Sequence, residues 1–191
     1  MDGSGTTHPF DQDLSLTRIA PLRFQGNVTD NWSINGVPNG GYLMALLANA
    51  MLRESVKKDT LVVTANYLHR CEVGEADLAV KNIACSRRFD RWQAILSQQD
   101  KERIRALGTF IHRSDAVTER RYDSSPPEVA DLEACVPVPV LPRFTFFNQM
   151  DVRLDPACAG WLRGELTDRL EQKGWIRFKE PRPYDMISAL M

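Results

Sequence analysis

Asn31 to Leu52 reads NWSINGVPNGGYLMALLANAML, and its second half decides the fold. From Tyr42 to Leu52 every residue except Asn49 is apolar. A helix that is greasy around nearly its whole circumference must be covered on most sides. The run is far shorter than the ~20 apolar residues of a bilayer span, so protein must do the covering. Pro38-Asn39-Gly40-Gly41 marks the start of this helix. Asn39 suits the N-cap, where its side-chain oxygen accepts from a first-turn amide. Gly40 and Gly41 are weak helix formers, so a pair of them at a helix start suggests another purpose. With no Cβ they would let a ligand reach the backbone. The first-turn N–H groups there lack intrahelical partners and carry the positive end of the dipole. Such a place suits a partly negative oxygen, of a polarised carbonyl or a phosphate. The competing reading of the two glycines is close packing of the helix start against a strand.

Upstream, Leu22 to Ile34 is strand-like, with Phe24, Val28, Trp32 and Ile34 at even apolar positions and a bend at Gly26-Asn27. Residues 1–12 read as a loose, disordered arm. Downstream, the helix ends in Lys57-Lys58, which suits its C-terminal dipole. Long strand candidates follow: Thr60 to Val73, Ala76 to Ser86, Arg91 to Gln99 and Arg103 to His112. The second of these shifts phase near Ile83, as at a bulge. Short polar links at 87–90 and 100–102 predict antiparallel neighbours. One buried helix and a run of long antiparallel strands give an α+β class. A strongly twisted sheet curled around the helix is the hotdog arrangement. Residues 13–113 are therefore predicted as a complete hotdog domain.

Residues 114–142 differ in composition. They include PPEVADLEACVPVPVLP, from Pro126 to Pro142, and that proline density opposes helix and central strand alike, predicting an extended linker. Order returns over 143–191, which carries an internal repeat at an offset of 143 residues. Trp32 falls on Trp175, Pro38 on Pro181, Leu43 on Met186 and Leu47 on Leu190. Both tryptophans read as core anchors. Repeats at this spacing predict a duplicated domain. The glycine pair has no counterpart in the copy, where Arg182-Pro183-Tyr184 stands. The copy also stops in the first turns of its helix, so the second hotdog is expected to be partial. A truncation or a partner chain that completes the sheet would each explain it. Its exposed strand edges and the apolar faces of 144–154 and 186–191 predict self-association, and with it a homo-oligomer.

The 191 residues hold 24 basic and 25 acidic side chains, which gives no field for steering polyanions and disfavours nucleic acid. Cys71, Cys85, Cys135 and Cys158 form no C-x-x-C and no ligand spacing with His8, His69 or His112, so no metal site is expected. Reduced thiols and a polar, acidic N-terminus without a signal-peptide pattern predict a cytoplasmic protein without a membrane span. Ser33, Ser86 and Ser97 lack a G-x-S-x-G context, and His69 has no nucleophile at a recognisable spacing.

NWSINGVPNGGYLMALLANAM, TLVVTANYLHRCEVGEADLAV and CSRRFDRWQAILSQQDKERIRALGTF together resemble the acyl-CoA thioesterase II-like family of double-hotdog thioesterases. GWIRFKEPRPYDMISALM resembles the opening of that family's second hotdog. The order of these matches carries the resemblance; the chain departs from it at Arg87, where the family has glycine, and at Cys71, where proline is common. The resemblance implies hydrolysis of acyl thioesters, on CoA or an acyl carrier, by an activated water. It implies no metal, no covalent serine and no cofactor beyond the CoA of the substrate. Gly40 and Gly41 would hold the oxyanion. The family's key Asp would fall beyond Met191, and Asp185 stands one or two turns too early to take its role. Substrate contacts are expected at Asn39, at Tyr42 along an acyl tunnel, and at Arg87 and Arg88 toward CoA phosphates. Each has a structural alternative: a cap, a core aromatic and a solvated hairpin tip. The rival function is a non-catalytic hotdog module that binds an acyl thioester, or a subunit that needs a second chain. A hydratase on the same fold is disfavoured, because no Asp-x-x-x-x-His stands near the helix start.

Overall fold

The computed structural model describes residues 7–112, 125–165 and 170–191. The apolar run forms helix α2 over Gly40–Glu54, which buries Tyr42, Leu43, Ala45, Leu46, Leu47, Ala48, Ala50 and Met51. Burying each large side chain of this set is worth about 1.5–3 kcal/mol, which is why the helix sits inside. Lys58 Nζ donates to Leu52 O (2.7 Å) and closes its C-terminal end, as the basic turn predicts.

The cover is a six-stranded antiparallel sheet. Its strands are β1 (Leu16–Ala20), β2 (Arg23–Val28), β5 (Asp59–Tyr67), β6 (Gly74–Cys85), β7 (Asp90–Gln98) and β8 (Lys101–Ile111), in the order β1-β2-β6-β7-β8-β5. Strand alternation supplies the inner face: Trp92, Ala94 and Leu96 from β7, with Ile104, Ala106 and Phe110 from β8. Gly108 lets α2 approach closely, since a Cβ there would stand 2.9 Å from Met51 Cε. The β6–β7 register shifts between Asn82 and Ala84, where the change of hydrophobic phase places it. Two short strands, β3 (Ser33–Ile34) and β4 (Val37–Pro38), form a hairpin into α2. Its two-residue turn has Asn35 at φ 53° and Gly36 at φ 71°, the left-handed pair such a turn requires.

A three-stranded sheet, β11-β10-β9, is formed by β9 (Val136–Pro137), β10 (Met150–Leu154) and β11 (Gly174–Phe178). Helix α3 (Phe146–Gln149) leads into β10. Two sequence expectations change here. Trp175 lies in β11 and is 48% exposed, whereas Trp32 lies in a 3-10 turn and is fully buried. The two tryptophans therefore occupy different elements, and Trp175 is no core anchor. Within 144–154, Phe146, Met150 and Leu154 are buried; the apolar exposure of this region falls instead on Trp161, Trp175 and Ile176.

The loose arm is also corrected. Residues 1–6 lie outside the described residues, but Pro9–Asp13 form helix α1, capped by His8 Nδ1 on Phe10 N–H (3.1 Å). Phe10 is fully buried against Trp32 (ring centroids 5.3 Å) and Phe178 (5.4 Å). Arg182 holds Asp11 through Nε and Nη2 (3.1 and 2.8 Å). The segment thus joins the two sheets. Of the expected linker, 114–124 lie outside the described residues, and Val136–Pro137 pair with β10 as an edge strand, which proline tolerates.

At the C-terminal end of α2 lies a buried carboxylate. Asp90 accepts from Ser55 Oγ (2.8 Å), Asn82 Nδ2 (2.9 Å) and the Val56 amide (3.3 Å). Burial pushes its carboxyl up, but the hydrogen bonds outweigh it and hold the group below its ordinary value. The Trp92 indole faces the same carboxylate without hydrogen-bonding geometry, so the three direct partners carry the effect. A depressed native value stabilises the fold above the unfolded carboxylate value and is lost as pH falls through the native one. Asp90→Asn is therefore expected to flatten the acid limb of stability below about pH 4, measured by urea unfolding between pH 2 and 7. An unchanged acid limb would refute this.

Candidate functional site

The start of α2 is where sequence and structure meet most closely. Asn39 is in extended conformation, and its Oδ1 accepts from Gly41 N–H (2.7 Å) and Tyr42 N–H (3.4 Å). It is the cap. This changes the reading of the glycine pair, because the Gly41 amide is already engaged. A Cβ on Gly41 would stand 2.6 Å from Leu190 O and 2.7 Å from Met191 O. The missing side chain at Gly41 thus serves close packing, against the C-terminal segment and not against a strand. Gly40 differs: its N–H, the first of the helix, has no hydrogen-bond partner among the described residues. It keeps the positive end of the dipole.

Over Gly40 lies Tyr67, from the end of β5. Its hydroxyl donates to Gly40 O (2.6 Å), and a Cβ on Gly40 would stand 3.2 Å from that oxygen. Tyr67 is half exposed, and its hydroxyl value is raised by burial and then by Cys71. Sequence gives no sign of it; it is an aromatic at a strand end, 27 positions from the glycine it touches. Behind it, burial pushes the Cys71 thiol up to about 11, against the opposing pull of Arg103. A thiol held protonated in this way is no nucleophile. His69 is exposed, and its backbone N–H donates to Arg103 O (3.1 Å).

The remaining expected contacts are elsewhere. Tyr42 is fully buried; its hydroxyl accepts from Thr29 N–H (3.3 Å) and donates to Asp13 O (3.1 Å). It is a core aromatic. Arg87 and Arg88 are exposed at the β6–β7 hairpin tip. Lys57 Nζ ties that tip to the C-terminal end of α2 through Ser86 O (3.1 Å). Fifteen residues of helix, about 22 Å, separate that end from Gly40. Two carboxylates of this region have side-chain or backbone partners. Asp13 Oδ2 accepts from Asn31 (2.9 Å) and the Trp32 indole (2.8 Å). Asp185 accepts from Arg182 Nη2 (2.7 Å) and Ser188 N–H (2.7 Å). An apolar cleft of about 460 Å³ opens on the smaller sheet, lined by Phe146, Phe147, Val152, Trp161 and Ile176 among others.

A curved antiparallel sheet around one buried helix, with a free amide at the helix start, defines this chain as an α+β protein of the hotdog fold. Residues 28–111, which hold β3 to β8 and α2, match the family model of the acyl-CoA thioesterase N-terminal domain. Solved structures agree on the fold. A candidate thioesterase II from Thermobifida fusca has a TM-score of 0.81 at 21% identity, covering 91% of this chain and 65% of its own. A hotdog protein of unknown function from Alicyclobacillus acidocaldarius has a TM-score of 0.80 at 20% identity, covering 96% and 67%. The acyl-CoA thioesterase II TesB2 of Mycobacterium marinum has a TM-score of 0.69 at 14% identity, covering 94% and 64%. The chain thus spans about two thirds of the length of these relatives. No curated protein matches it significantly. Among the described residues no helix is long and apolar enough to cross a membrane.

Proposed function

We propose that the start of α2 binds the carbonyl oxygen of an acyl thioester, on CoA or an acyl carrier, and that the reaction served is thioester hydrolysis. The observation that supports it is the unpartnered Gly40 N–H inside the segment that matches the thioesterase family. In hydrolysis, water adds to the carbonyl carbon and the oxyanion forms against the Gly40 amide. The oxyanion collapses, the C–S bond breaks, and the proton from water ends on the departing thiolate. Tyr67 holds the carbonyl of the following peptide, Gly40–Gly41, and so anchors the first turn of the helix beside that N–H. No cofactor is required. The role of oxyanion donor rests on Gly40 alone, since the Gly41 amide is engaged by Asn39.

Gly40→Ala tests this directly. Alanine is the better helix former by about 1 kcal/mol, so stability is expected to hold or rise. The new methyl group would crowd Tyr67 and shield the amide. Cleavage of acyl-CoAs across several chain lengths is expected to fall at least tenfold in kcat/KM. Equal turnover by both proteins would remove Gly40 from the mechanism.

A second reading is binding without turnover. Asp185 accepts on both oxygens and Asp13 on Oδ2 alone, and neither is identified as the general base that hydrolysis needs. Acyl-CoA binding with no cleavage would select this reading. Completion by a second copy belongs to the same proposal: β5 is an edge strand without charge from Thr60 to Tyr67, and it exposes Leu61 and Val62. Likewise, residues 143–191 are proposed as the opening part of a second hotdog.

A further inference from the structure

The hairpin that leads into α2 is gripped from two sides by arginines. Arg70 Nη2 donates to Gly36 O (3.1 Å). Gly36 N–H donates to Arg143 O (2.9 Å), and the Arg143 side chain folds back over the same residue. A Cβ on Gly36 would stand 3.4 Å from Arg143 Nη2 and 3.6 Å from its Nε. Two guanidinium groups therefore converge on one turn. Both side chains are exposed. Arg18, Arg105, Arg153, Arg163, Arg177 and Arg182 each meet a carboxylate. Arg70 and Arg143 meet none among the described residues, which is also true of Arg23, Arg53, Arg87, Arg88, Arg91 and Arg103; what sets the two apart is that they share one turn. Arg143 also holds a left-handed backbone, φ 67°, which is uncommon for a long side chain and marks a position that its surroundings impose.

Two like charges at one exposed turn repel weakly in water, and an anion between them would favour the arrangement. Guanidinium forks are the groups that match phosphate oxygens with paired, charge-assisted hydrogen bonds. The place also fits the chemistry proposed above. Gly36 is four residues from Gly40, so the two are at most about 14 Å apart along the chain. Arg70 follows Tyr67, which touches Gly40, by three residues. The pair thus lies at the end of α2 that carries the free amide, whereas Arg87 and Arg88 lie at the other.

We propose that Arg70 and Arg143 form a phosphate clamp that receives the phosphate at the far end of a pantetheine arm while the thioester lies at Gly40. The proposal rests on the thioester reading and adds its anionic subsite. The ligand chemistry is a phosphopantetheine thioester, carried either by CoA or by an acyl-carrier protein. The clamp selects substrates by their phosphate and leaves the reacting atoms to Gly40.

The test is calorimetric binding of the full chain to three probes: CoA, 4′-phosphopantetheine and pantetheine without phosphate. S-acetyl pantetheine is run in parallel as a thioester lacking phosphate. The parent is expected to bind the two phosphorylated probes at least about tenfold more tightly than pantetheine. Arg70→Gln and Arg143→Gln should each remove most of that difference, leave S-acetyl pantetheine unchanged and flatten the salt dependence of CoA binding. Lysine at either position should restore part of the affinity, since it returns charge without the fork. Melting curves of each variant confirm folding. A folded glutamine variant that keeps the full phosphate preference overturns the clamp, as does a parent that binds all probes alike or binds none. Binding of S-acetyl pantetheine without any phosphate preference overturns the clamp and leaves the thioester reading standing. Phosphate-dependent acetyl-CoA binding and cleavage with no response to Gly40→Ala does the reverse. A phosphopantetheinylated carrier protein that outcompetes the free arm identifies the carrier as the source; CoA that outcompetes it identifies CoA.

Discussion

Trp32→Ala is expected to lower stability by about 3–5 kcal/mol, a loss of roughly 6–20 °C in Tm for a chain of this size. Trp32 is fully buried. Its ring meets Phe10 (5.3 Å), Phe178 (6.1 Å) and Tyr42 (6.2 Å), which belong to α1, β11 and α2. The cavity would therefore open where the N-terminal helix, the central helix and the smaller sheet meet. Its indole N–H also donates to Asp13 Oδ2 (2.8 Å), so alanine leaves that carboxylate one partner short. Trp32→Phe keeps most of the ring contact and loses the hydrogen bond, for an expected cost near 1–2 kcal/mol. Guanidinium unfolding of both variants measures the difference. A loss below about 1 kcal/mol for alanine would show that the three elements do not depend on this contact.

Gly41→Ala is expected to act at a distance in sequence. Its methyl group would meet Leu190 O and Met191 O, which are backbone atoms and cannot rotate away. Relieving the overlap means moving residues 188–191 off the helix, at a cost of about 1–3 kcal/mol against a helix-propensity gain of at most about 1. Hydrogen exchange reads this directly. The amides of Ala189, Leu190 and Met191 donate to Asp185, Ile187 and Ser188, and their protection should fall. Gly40→Ala should leave them protected. Full protection at 189–191 in Gly41→Ala, with a raised Tm, would show that the close approach is not needed. The pair of variants separates the two glycines, which sequence treats as one motif.

How much was legible follows from the range over which each signal acts. The central helix was readable because Tyr42 to Leu52 is apolar on every face, and only a surrounding sheet satisfies that. The bulge in β6 was readable because a one-residue slip changes which side chains face inward. Strand β1 was not, since LTRIA buries only Leu16 and exposes Thr17, Arg18 and Ile19. Helix α1 carried a local mark, Pro9 at its first position behind a capping His8, but it lies in a polar stretch. What fixes it is Phe10 entering a pocket built from residues as distant as Phe178.

By itself the sequence determined the fold class, the buried helix and the capped glycine start, because hydrophobic period, capping and turn chemistry act within a few residues. Only the tertiary structure decided that Tyr67 stands over Gly40, that Tyr42 belongs to the core and that Arg70 and Arg143 share one turn. Those are contacts between positions tens to more than a hundred residues apart, and nothing in the local pattern of either partner encodes the other.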